Sequence, residues 1–125
     1  MMQWLMIAIG GALGSIARYS AVAYLTPLLS YRFPFGTFIV NISGSFLIGA
    51  AYVVIIEKAI IPSEWRLFVI TGILGGYTTF SAFSLEMLQM WQEGQVALSL
   101  VYAVSSVALG LLFAYFGMQL TQKLF

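Results

Sequence analysis

Four long apolar runs, interrupted mainly by hydroxyls, amides and glycines, divide this chain, and short polar or proline-bearing connections separate them. The runs cover residues 3–25, 35–56, 65–91 and 96–120, each long enough to cross a bilayer, which takes about 20 apolar residues as a helix. The connections, 27–34, 57–64 and 92–95, leave no room for a soluble domain. The pattern predicts an all-α membrane protein of four transmembrane helices, forming a single domain over residues 1–125.

Polar positions inside the runs recur at helical spacing. Thr37, Asn41 and Ser45 follow one another every four residues and share one face of the second helix. Ser99, Tyr102 and Ser106 form a stripe on the fourth, and Phe80, Phe83 and Ser84 share a face of the third, flanked by Thr79 and Ser81. Each such group in lipid must find a partner or line a wet path. Two readings follow: the stripes hold helices together, or they face one another across a narrow track of neutral donors. For Asn41 the balance tilts to the track, because a primary amide at mid-span is hard to satisfy by helix packing alone. The glycine spacings Gly10/Gly14 and Gly72/Gly76 are read as packing contacts.

The third run carries an anomaly. From Gly72 to Ser84 it reads Gly-Ile-Leu-Gly-Gly-Tyr-Thr-Thr-Phe-Ser-Ala-Phe-Ser, where the poor helix formers Gly75 and Gly76 precede hydroxyls that compete for backbone hydrogen bonds. A helix broken near its middle is expected here. Loosened backbone in a membrane is tolerated where it is buried in protein or lines a cavity, so the break marks a candidate ion or substrate site.

Composition agrees with the class: 62% of residues are hydrophobic, 7% are charged, and the mean hydropathy is +1.00. No Lys or Arg precedes the first run and its first charge is Arg18, so this run is expected to stay as a helix rather than act as a signal peptide. Lys58, Arg66 and Lys123 fall on the side of the termini, against Arg32 opposite, with Arg18 nearer to Arg32. That asymmetry is thin for setting orientation. It permits insertion both ways and hence a dual-topology antiparallel homodimer, the economical way for four short helices to enclose a pore.

The chain has no Cys and no His, and all four of its acidic residues are Glu. Thiol chemistry, histidine-based triads and soft-metal sites are excluded together. Glu57, Glu64 and Glu93 lie at span ends; Glu86 alone is embedded, and reads either as a functional carboxylate or as an interfacial, solvated one. The Gly10, Gly11, Gly14 pattern lacks the order and the acidic residue of a dinucleotide site. The sequon at Asn41-Ile42-Ser43 lies inside a span, where no glycan can be attached.

Gly-Gly-Ala-Leu-Gly-Ser-Ile-Ala-Arg-Tyr at 10–19, Phe-Gly-Thr-Phe-Ile-Val-Asn-Ile-Ser-Gly-Ser-Phe-Leu-Ile-Gly at 35–49 and Gly-Gly-Tyr-Thr-Thr-Phe-Ser-Ala-Phe-Ser-Leu-Glu at 75–86 resemble the small Fluc (CrcB-type) fluoride channels of bacteria. The resemblance spans essentially the whole chain. It implies no enzyme and no nucleic-acid partner, but a fluoride-selective passive channel in the cell inner membrane that confers fluoride resistance. It further implies a dual-topology antiparallel homodimer with two pores.

By this resemblance Asn41 is the pore asparagine, and Phe80 and Phe83 are the paired phenylalanines that meet the anion through ring edges. Thr37, Thr79, Ser81, Ser84, Tyr102 and Ser106 belong to the hydroxyl track, where Gly110 stands in place of the serine of some relatives. The carbonyls of Gly75 and Thr78 from both chains surround a structural Na+. Arg18 either raises the potential of a pore vestibule or snorkels from a helix end. Glu86 matches a glutamate beside the phenylalanines.

Two rivals remain. A proton-coupled small multidrug transporter is also a four-helix dual-topology dimer, but needs a glutamate deep in its first helix, where this chain offers Arg18. A non-transporting membrane assembly subunit would use the polar stripes only to bind helices together, and ion flux through the isolated protein would dispose of it.

Overall fold

The computed structural model describes all 125 residues, Met1–Phe125. Four helices are long and apolar enough to cross a membrane: α1 (Met2–Leu29), α2 (Phe35–Glu57), α3 (Leu67–Gln92) and α4 (Val96–Leu124). At 1.5 Å per residue they reach about 35–44 Å, the hydrocarbon core and part of both headgroup layers. Large apolar side chains such as Leu13, Ile16, Val104 and Leu111 point outward, as a lipid-facing surface requires. The chain is a multi-pass membrane protein.

The helices overrun the predicted spans where end residues find partners. α1 continues across Pro27 to Leu29; so near the C-terminus the missing N–H of proline frees only one carbonyl, and Ser30 N–H closes the last turn on Thr26 O at 3.1 Å. α4 continues past residue 120 because Gln122 Nε2 donates to both carboxylate oxygens of Glu57, at 2.9 and 3.0 Å, while Lys58 Nζ donates to Gln122 O at 3.2 Å. Between α3 and α4 the chain turns on Gly94, at φ +82°. Gly94 N–H bonds Trp91 O and Gln95 N–H bonds Met90 O, the Schellman pattern that uses a left-handed glycine to close a helix.

Glycines set the helix pairing. A Cβ on Gly10 would lie 2.5 Å from Phe68 O and 3.0 Å from Gly72 Cα, and one on Gly76 would lie 2.6 Å from Gly11 O. Gly14 abuts Ile73 O, so α1 and α3 touch backbone to backbone. α2 and α4 meet the same way, Gly49 against Ala114 O and Gly117 against Phe46 O. Without a hydrophobic drive between helices in lipid, close approach of this kind supplies the packing attraction.

α3 is not uniform. Leu67–Leu74 is wound as a π-helix, Gly75–Tyr77 returns to α geometry, and Phe80–Gln92 is regular. Between the last two, Thr78 (φ −86°, ψ 156°) and Thr79 (φ −150°, ψ 118°) are extended. The paired glycines are not where the backbone leaves the helix: Gly75 holds φ −62°, ψ −37°. Gly76 is spent on admitting the backbone of α1, and the departure comes at two β-branched residues that favour extended geometry.

Candidate functional site

The two extended residues are held by side chains. Thr79 caps the helix that follows, its Oγ1 accepting from Ala82 N–H at 3.1 Å. Its own main-chain groups are exposed by the departure from the helix, and one residue satisfies both. Asn41 Oδ1 accepts from Thr79 N–H at 2.8 Å, and Asn41 Nδ2 donates to Thr79 O at 3.0 Å. A primary amide presents one acceptor and two donors, so this clamp uses the acceptor and one N–H and leaves the second N–H free.

Around the clamp lies an open groove of about 350 Å³ between α2, α3 and α4. Asn41, Gly44, Ser45, Gly75, Thr78, Thr79, Phe80, Phe83 and Ser106 line it with four aliphatic residues, and no lining side chain is charged. The rings of Phe80 and Phe83 stand 5.7 Å apart at 44°. They differ sharply in setting: Phe83 is 9% exposed and packs on Tyr102 at 5.0 Å, whereas Phe80 is 79% exposed.

The remaining predicted track residues divide. Thr37 and Tyr102 do not offer free hydroxyls: Thr37 Oγ1 donates to Glu86 Oε2 at 2.9 Å, and Tyr102 Oη donates to Glu86 Oε1 at 3.0 Å. A carboxylate has only acceptors, so both hydroxyl protons are drawn to it, and the trio forms a polar knot behind Phe83. The Glu86 carboxylate is half-buried with both oxygens engaged. Ser84 Oγ donates to Phe80 O at 3.0 Å, and Ser99 Oγ to Met87 O at 3.1 Å. Ser81 is exposed, its Oγ 3.4 Å from that of Thr79. Ser106 faces the groove. At Gly110 a Cβ would meet Ser45 Oγ at an ordinary 3.5 Å, so the wall has room there.

Glu86 also borders a second cavity, of about 500 Å³, between Arg32 of the α1–α2 connection and Gln89, Glu93 and Gln95 at the end of α3 and its connection to α4. The carboxylate knot thus stands between a polar mouth and the neutral groove. Arg18, on α1, donates through Nε to Gly76 O at 3.0 Å, which places it at the end of the first half of α3.

One contact had no sequence signal. Ser43 Oγ donates to Val40 O at 3.1 Å, so at its 3.0 Å contact with Tyr77 Oη it accepts, and Tyr77 is the donor. Ser43 is off the Thr37, Asn41, Ser45 stripe, and Tyr77 reads in sequence as one more aromatic. Around the polar mouth, Arg32 and Gln95 lie in connections where polar side chains are ordinary, and Gln89 lies on α3 off the predicted stripes.

Comparison of the sequence with known proteins shows a family. A family model described as "CrcB-like protein, Camphor Resistance (CrcB)" matches residues 5–118. A protein of Saccharophagus degradans named "Fluoride-specific ion channel FluC" is 45% identical over 122 residues, covering 97% of this chain and 90% of that protein. One of the same name from Acidobacterium capsulatum is 44% identical, covering 94% of each. Another, from Thermus thermophilus, is 46% identical over 118 residues, covering 94% of this chain and 92% of its own.

Proposed function

The chain belongs to the CrcB family, and from that membership and the neutral groove we propose that it is a fluoride-selective passive channel exporting cytoplasmic fluoride across the bacterial inner membrane. It is a channel protein and not an enzyme. The observation that carries the reading is that Asn41, Thr79, Phe80, Phe83 and Ser106 border one groove with no fixed cation. Conduction needs an ion held firmly enough to enter and loosely enough to leave. The free N–H of Asn41, hydroxyl donors and the positive ring edges of Phe80 and Phe83 meet that need for a small hard anion, where a lysine or arginine would bind it too tightly. A negative-inside potential drives an anion outward with about 2.3 kcal/mol per charge per 100 mV, so no coupling machinery is required.

The groove is open along one side, where Phe80 and Gly75 are exposed. A second, antiparallel copy would close it, giving one pore on each side of the dimer axis, and the weak Lys/Arg asymmetry supports insertion in both orientations. The main chain of α3 supports a structural Na+ at that axis. In an unbroken helix the Gly75 carbonyl accepts from Thr79 N–H and the Thr78 carbonyl from Ala82 N–H. Here Asn41 takes the first donor and Thr79 Oγ1 the second. The two carbonyls predicted to hold the ion are among those deprived of their ladder donors, and carbonyl oxygens are ligands for a hard cation. When bound, the ion would hold the two copies together and offset the crowding of carbonyl dipoles.

Purified protein in liposomes is expected to release fluoride, measured by a fluoride electrode, while chloride stays trapped. Equal passage of both ions, or of neither, would falsify the channel reading. Removing sodium from both faces is expected to lower flux at least tenfold and loosen the dimer in detergent, with lithium or potassium substituting poorly. Undiminished flux after exhaustive sodium depletion would remove the central ion while leaving the anion path standing.

A further inference from the structure

α1 meets α3 along Gly10, Gly14 and then Arg18, spaced by four residues and therefore on one face. The first two positions have no side chain, which brings the backbones together. The third has a long one, and it stands where the helical ladder of α3 stops. In an unbroken helix Gly76 O would accept from Phe80 N–H. Phe80 is instead the first residue of the next helix, where main-chain donors lie outside the ladder of the preceding segment. Gly76 O receives Arg18 Nε at 3.0 Å in its place.

We propose that Arg18 is a positioning residue: its Nε–H caps the first half of α3 at Gly76, so that the neighbouring Gly75 and Thr78 carbonyls are presented to a cation in a set arrangement. The last clause rests on the sodium reading above; the cap does not. Three features support it. The guanidinium lies at a helix C-terminus, where positive charge is favoured by the helix dipole. It is partly buried against α3, so the bond is shielded from water. And the nearby main-chain groups of Thr79 and Ala82 also take side-chain partners, Asn41 for Thr79 and Thr79 Oγ1 for Ala82, so the Arg18 bond to Gly76 O is one of several side-chain substitutes for the lost ladder bonds. This assigns the charge to a fixed backbone contact, in place of a vestibule field or a snorkelling end.

The test uses the geometry of the side chain. Glutamine places its Nε2 donor as many bonds from Cα as arginine places Nε, but carries no charge; methionine matches that length with neither donor nor charge. Amide hydrogen exchange on the purified full-length protein is expected to quicken about tenfold at residues 76–82 in Arg18→Met, with protection regained in Arg18→Gln and the rest of α3 unchanged. In liposomes Arg18→Met should need several-fold more sodium for half-maximal fluoride flux, and Arg18→Gln should restore the wild-type midpoint. Unchanged exchange in Arg18→Met, equal loss in both variants, or quickened exchange across all four helices would overturn the cap. The exchange readout does not depend on conduction, so failure of the channel or sodium reading would show only in the flux arm.

Discussion

Replacing Asn41 by aspartate is expected to lower fluoride efflux from liposomes about a hundredfold while the protein still folds. The substitution keeps the acceptor for Thr79 N–H but loses the donor to Thr79 O and the free N–H facing the groove. It also sets a negative charge beside the proposed anion path. At a separation of roughly 6 Å and an effective dielectric of about 20, that charge raises the energy of an anion by about 3 kcal/mol, which alone accounts for the hundredfold. Leucine at the same position removes the whole clamp and leaves both main-chain groups of Thr79 unpaired, at about 1–3 kcal/mol each. Thermal unfolding in detergent should separate the two: aspartate below wild type by the one bond to Thr79 O that it loses, leucine lower still for losing both. Aspartate conducting at the wild-type rate would exclude Asn41 from the ion path.

The two phenylalanines should respond differently to the same change. Phe80→Leu is expected to cut flux about tenfold with little effect on stability, because its ring is 79% exposed on the single chain and packs on little besides Phe83. Tenfold corresponds to roughly the 0.5–1.5 kcal/mol that ring-quadrupole contacts supply. Phe83→Leu should lose flux and also about 1 kcal/mol of stability, since Phe83 is buried in a cluster with Met90 and Tyr102. Flux and melting temperature measured on the same preparations decide the matter. If Phe80→Leu conducts like wild type, the ring edge has no part in permeation, and the loss in Phe83→Leu reduces to packing.

Glu86 shows why the polar stripes could be located but not paired from sequence. Spacing put Thr37 and Tyr102 on the inner faces of their helices, and both do face inward. What they face is a carboxylate 49 and 16 residues away. Periodicity reports direction around one helix axis and carries nothing about the height at which another helix presents its own groups. The same limit explains Asn41, whose inward direction was legible but whose partner, the main chain of Thr79, exists only because the backbone there is extended.

By itself the sequence determined the number of membrane spans, the inward direction of Thr37, Asn41 and Tyr102, and an irregularity in the third helix. Those follow from local chemistry: apolar length, helical period, and the poor fit of glycine and hydroxyl residues to a continuous helix. Only the tertiary structure decided where that irregularity falls and what holds it. Gly76 stays helical with the backbone of α1 against it, and the chain turns out of the helix at Thr78 and Thr79, where Asn41 of α2 can take both main-chain groups of Thr79. In a membrane an extended residue survives only where another element satisfies its N–H and C=O, and that element was 38 residues away in the chain.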